Sequence, residues 1–141
     1  MKSQSNISLI AAEFHKKRIE TMCNCAQEKA KELGLKIADE IWVPGCFEIP
    51  IAAARILREE RIAGAVVLGI IEKGETKHGL VMAEAVFAKV LSLQLQFDKP
   101  VGLGIIGPEA TNQQIDARLE KHARAAVVAV SKILQSNNSG G

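Results

Sequence analysis

Hydrophobic and polar positions along the chain fall into two alternating regimes. Residues 7–12 (I-S-L-I-A-A), 36–43 (K-I-A-D-E-I-W-V), 65–71 (A-V-V-L-G-I-I) and 101–106 (V-G-L-G-I-I) are apolar runs of strand length. The third is the most continuous and predicts a central strand of a parallel sheet. Between these runs the period changes to that of a helix. Ile19, Met22, Cys23, Ala26, Ala30 and Leu33 mark an amphipathic helix over 15–33 that Gly34 stops. Residues 49–60 read as a second helix, with Pro50 tolerable in its first turn. A third spans 80–97 and is apolar nearly all round, so more than its own sheet, including a second subunit, is expected to cover it. A fourth spans 111–135, and residues 1–6 and 136–141 are expected to be flexible termini.

Strand and helix therefore alternate four times with short connections. The pattern predicts a single domain over 1–141, a mostly parallel α/β sheet with helices on both faces. All four strand-to-helix loops must then emerge at the carboxyl edge of the sheet, where ligands bind in open α/β folds. Those loops are residues 13–15, 44–48, 72–78 and 107–111.

Composition narrows the function classes. At 141 residues the chain can bury about two thirds of its extended surface. Apolar residues at 48%, charged residues at 24% and a net charge of +2 argue against disorder and against nucleic acid as a partner. No apolar run reaches bilayer-spanning length and residues 1–6 are too short for a secretory signal, so a cytoplasmic protein with no membrane partner is expected. Three cysteines argue against a disulfide framework. Cys23 and Cys25 stand about 200° apart around a helix, a poor metal pair.

The loops carry the chemistry. Residues 69–79 (G-I-I-E-K-G-E-T-K-H-G) place a Gly-centred turn, a hydroxyl and an imidazole at a helix start, where N–H groups and the helix dipole favour an anion. His78 can take and give protons near neutral pH, as carbonyl condensation requires. His15 and His122 lie among charged neighbours and are read as solvated. Phe14 is either a cap over the sheet edge or a ring that stacks on a flat heterocycle. Glu48 is either a helix-start charge or an acceptor for sugar-like hydroxyls. Thr76 and the 74–76 backbone would face a phosphate, with Lys73 and Arg118 as candidate charge partners, or as plain surface cations. Leu103, in mid-strand, reads as core.

V-P-G-C-F-E-I-P at 43–50, L-G-I-I-E-K-G-E-T-K-H at 68–78 and K-P-V-G-L-G-I-I at 99–106 resemble, in order and spacing, three blocks of the lumazine synthase family, especially its archaeal-type branch. The resemblance runs from Ile7 to about Leu134. It implies a flavodoxin-like three-layer sandwich with a four-stranded parallel sheet. It also implies condensation of 5-amino-6-(D-ribitylamino)uracil with 3,4-dihydroxy-2-butanone 4-phosphate to 6,7-dimethyl-8-ribityllumazine, in riboflavin biosynthesis, without a metal or redox cofactor. A catalytically silent homologue that binds a lumazine or flavin, or forms a shell, is the alternative.

By the same resemblance, Phe14 would stack on the pyrimidine, and Cys46, Phe47 and Glu48 would hold the ribityl chain and ring. Ile70, Ile71 and Glu72 would line the pyrimidine by backbone contacts. Glu75 and Thr76 would bind phosphate with Arg118 as counter-ion, and His78 would shuttle protons. Leu103 and Arg118 would come from the adjacent chain of a pentamer, which in some members pairs to a decamer or closes into a 60-mer shell. Leu103 stands where many bacterial members have Phe, Gly79 and Leu80 replace an aromatic-acidic pair, and Ala123 falls near a usual basic position.

Overall fold

Strand β1 (Asn6–Ala12) is buried at every residue after the first, because it lies between two neighbours in the middle of the sheet. The computed structural model describes residues 4–74 and 77–139, with side chains as far as 136. On one side β1 pairs in parallel with β2 (Lys36–Val43), and on the other with β3 (Gly64–Glu72). Strand β4 (Val101–Ala110) extends the sheet beyond β3, giving the order β2-β1-β3-β4. Ile10 thus sits opposite Ile41 and Val67.

The two-residue period of β3 sorts its side chains to opposite faces. Val66, Leu68 and Ile70 join Ile19 and Met22 of α1 (Lys16–Glu32) and Ile115 and Val127 of α4 (Asn112–Ser139). Ala65, Val67 and Ile71 join Ile49 and Leu57 of α2 (Ile49–Leu57) and Val86 and Val90 of α3 (His78–Phe97). The result is three layers, helix pairs on both faces of one parallel sheet. Each fully buried Leu or Ile contributes about 1.5–3 kcal/mol, so these two cores carry the fold. Helix α4 lies directly on β4 because Gly102 has no side chain; a Cβ there would stand 2.2 Å from the Ala126 carbonyl oxygen.

Four element boundaries differ by two residues or more from those the sequence predicts. Helix α2 ends at Leu57, and α3 begins at His78, two positions before its first apolar residue. Residues 107–110, expected in a loop, belong to β4: Glu72 pairs with Ala110 past a register shift, and the Lys73 N–H donates to the Ala110 carbonyl. Helix α4 runs on to Ser139, past the expected end at residue 135.

Helix α3 also corrects the reading that no segment is long and apolar enough to cross a membrane. Its 20 residues reach a mean hydropathy of 1.4 over their most apolar stretch, enough to span by length and composition. Glu84 and Lys89 interrupt the apolar run but do not offset it over a full helix. Only Ala83, Val86 and Val90 are buried, while Val81, Leu91 and Leu95 are exposed.

Candidate active site

The chain leaves β1 for β2 on one side and returns to β3 on the other, so its direction of winding reverses between β1 and β3. In open α/β sheets that reversal opens a crevice at the carboxyl ends of the strands. Here it holds a cavity of about 470 Å³, within the range that takes a small metabolite. Phe14 lines it from the loop after β1, and Pro44, Gly45, Cys46 and Glu48 line it from the turn after β2. Ile70, Ile71, Glu72 and Gly74 come from the end of β3, and His78, Gly79 and Met82 from the first turns of α3.

Each wall has a local cause. After β2, Pro44 and Gly45 break the strand, and Cys46–Glu48 form a single 3₁₀ turn that leads into α2. The turn sits down on β3 because Gly69 is bare; a Cβ there would fall 2.7 Å from Cys46 Sγ. Burial pushes the Cys46 thiol up to about 11, despite a backbone contact with Ile70 that pulls the other way. At neutral pH it is an uncharged packing group rather than a nucleophile. Ile70 and Ile71 are buried, which leaves their backbone and the half-buried Glu72 to meet a ligand. His78 is the first residue of α3 and exposed, so its imidazole stands at the positive end of a helix.

Most of the site residues expected from the sequence meet at this cavity. Phe14, Cys46, Glu48, Ile70, Ile71, Glu72 and His78 line it. Phe47 does not line it, but its exposed ring lies against His78. Leu103 is half-buried on β4, packed toward the α2 and α3 face, and Arg118 is exposed on α4; neither lines the cavity. Glu75 and Thr76, expected to bind phosphate, lie outside the described residues.

Sequence reasoning missed Met82. It stands one helical turn beyond His78, and that four-residue spacing was the available signal. The solvated reading of two histidines is also corrected. His15 is no surface residue of a helix. It precedes α1 in the left-handed region, φ 64°, half-buried, with Nε2 3.2 Å from Glu72 Oε2. His122 is half-buried too, and burial pushes its imidazole pKa down. Among the described residues no cluster of three or more His, Cys, Asp or Glu is placed to hold a metal ion.

A four-stranded parallel sheet in the order β2-β1-β3-β4, with a mostly apolar cavity and a few convergent polar groups at its switch point, defines a flavodoxin-like α/β protein with a cavity of the kind that takes a small ligand. Comparison with known proteins adds the family. The family described as 6,7-dimethyl-8-ribityllumazine synthase matches residues 4–138. A 6,7-dimethyl-8-ribityllumazine synthase from Staphylothermus marinus is 41% identical over 96% of this chain and 90% of its own length. The proteins of the same name from Methanopyrus kandleri and Metallosphaera sedula are 35% and 39% identical, over 93% and 97% of this chain and 93% and 91% of theirs. The chain belongs to the 6,7-dimethyl-8-ribityllumazine synthase family.

Proposed function

We propose that the cavity condenses 5-amino-6-(D-ribitylamino)uracil with 3,4-dihydroxy-2-butanone 4-phosphate, giving 6,7-dimethyl-8-ribityllumazine, phosphate and two molecules of water, a transferase step of riboflavin biosynthesis. The observation that carries the reading is the convergence of Phe14, Glu48, Glu72 and His78 on one cavity, in a chain matched along nearly its whole length by the synthase family. The catalytically silent alternative is not favoured, since the relatives above all carry the synthase name.

In this reading Phe14 stacks on the pyrimidine while the Ile70 and Ile71 backbone meets its edge, and Glu48 accepts hydrogen bonds from the ribityl hydroxyls. The substrate amine attacks the ketone, water leaves to form an imine, phosphate is eliminated, and the ring closes with loss of a second water. Each step moves protons, and His78 is the group placed to carry them. Thr76 and the Glu75 N–H would hold the phosphate beside the start of α3, with Arg118 as counter-ion. Much of the acceleration comes from holding two substrates together.

Self-association completes the picture. Val81, Leu91 and Leu95 of α3, with Phe47 and Ile51 before and on α2, are large apolar side chains left exposed, the kind of surface that self-association covers. A pentamer, alone, paired or closed into a 60-mer shell, would cover them and bring Leu103 and Arg118 to a neighbour's cavity. Steady-state turnover with both substrates, read as lumazine absorbance, tests the activity. A rate above the spontaneous condensation supports it, and a rate equal to it contradicts it.

A further inference from the structure

His15 is held from three directions. Its ring lies 4.3 Å from that of Phe14, edge-on at 67°. Its Nε2 lies 3.2 Å from Glu72 Oε2, and its Nδ1 3.3 Å from Arg18 Nη1. Phe14 and Glu72 both line the cavity, and His15 does not. One imidazole therefore braces two walls of the site from behind.

The contacts also settle where the proton sits. A guanidinium has only N–H groups to offer, so Nδ1 must accept, and in the neutral ring the proton is on Nε2, facing the carboxylate. Arg18 cannot easily turn away. Its Nε and Nη2 grip both carboxylate oxygens of Asp116 at 2.8 and 3.1 Å, and Nη1 donates to Asn112 Oδ1 at 3.1 Å. The start of α4 thus fixes Arg18, Arg18 fixes the tautomer, and the imidazole faces Glu72. His15 Nε2 is buried and makes no aligned hydrogen bond among the described residues, although Glu72 Oε2 lies 3.2 Å away. The left-handed backbone at His15, φ 64°, is sparsely populated by residues other than glycine, and such strain gathers at functional sites.

We propose that His15 is a positioning residue for Glu72: with Arg18 setting its tautomer, it holds one carboxylate oxygen so that the other accepts an N–H group of the flat, donor-rich heterocyclic substrate. A carboxylate offers acceptors only, and an aminopyrimidine with ring and exocyclic N–H groups is its complement. The inference deepens the activity assigned above and rests on it.

The test compares wild type with His15→Leu, His15→Gln, Glu72→Gln and the double variant His15→Leu/Glu72→Gln. The Michaelis constants for the two substrates are measured separately. His15→Leu and Glu72→Gln should each raise KM for the heterocyclic amine roughly tenfold, the scale of one charge-assisted hydrogen bond. KM for the phosphorylated ketone should stay within about twofold, and the double variant should be no worse than either single one. His15→Gln, which keeps an N–H near the place of Nε2, should recover most of the loss.

Unchanged constants, additive losses, or both constants and kcat moving together would overturn the proposal, the last because a merely structural defect does that. If His15→Leu does not fold, Glu72→Gln and His15→Gln decide by the same criteria. A wild type that forms no product defeats the activity instead, and calorimetric titration of the heterocyclic amine then makes the same comparison through its Kd.

Discussion

The Phe47 ring meets the imidazole of His78 edge to face, with centroids 6.4 Å apart and planes at 82°. The contact ties the turn after β2 to the first residue of α3, so the imidazole is held by an element other than its own helix while it lines the cavity. His78→Ala should slow turnover roughly 10²-fold, the usual worth of a placed general acid-base group. Assembly, read by light scattering, should not change. Unchanged turnover would remove His78 from the chemistry.

Arg118 is exposed on α4 and does not line the cavity of its own chain, and the role proposed for it at the phosphate is in a neighbour's site. Arg118→Ala should raise KM for the phosphorylated ketone. Mixed assemblies of His78→Ala and Arg118→Ala chains should then be more active than either parent, because some sites combine an intact His78 with an intact Arg118. Mixtures that merely average the parents would contradict a shared site.

Gly102 faces the Ala126 carbonyl so closely that a methyl group there would stand 2.2 Å from its oxygen. Gly102→Ala must push α4 off β4 and should cost about 3 kcal/mol, the upper range for overpacking a core. Thermal unfolding measures it as a clearly lower Tm. An unchanged Tm would mean that the helix does not lie on the strand this closely.

Burial raises two thiols from an ordinary 9.0, Cys46 to about 11 and Cys23 to about 12. A raised folded-state value means that the native chain holds the proton more tightly than the unfolded one. The corresponding stability is present below pH 9 and is lost as pH rises through about 11 and then about 12. Tm should therefore fall on going above pH 9. At pH 8 both cysteines should react with iodoacetamide far more slowly in the native protein than in the unfolded one, as peptide mass spectrometry would register. Equal labelling rates would contradict the burial of these thiols.

Much of the layered fold was legible because its runs are long and clean. The 65–71 run predicts the central β3, and the stripe from Ile19 to Leu33 predicts α1. Misses cluster where tertiary contacts decide. Residues 107–110 carry Gly-Pro turn signals, yet Ala110 pairs with Glu72 and stays in the sheet. His78 and Gly79 give no apolar signal, yet α3 starts with them.

At the site, loop position alone points to Phe14, Glu48 and His78, because a parallel sheet sends every strand-to-helix loop to one rim. Ile70 and Ile71 needed the family resemblance, since their side chains are buried and only the backbone is available to a ligand. His15 was unreadable. Its partner Glu72 lies far along the chain, as does the Asp116 that holds the neighbouring Arg18, and only the fold brings them together.

A crystal structure of the protein with 6,7-dimethyl-8-ribityllumazine bound tests the central claim most directly. The account predicts the heterocycle against Phe14 in the cavity, its ribityl chain reaching Glu48, and His78 beside the newly closed ring. A ligand bound elsewhere, or a cavity that stays empty at saturating lumazine, would contradict it.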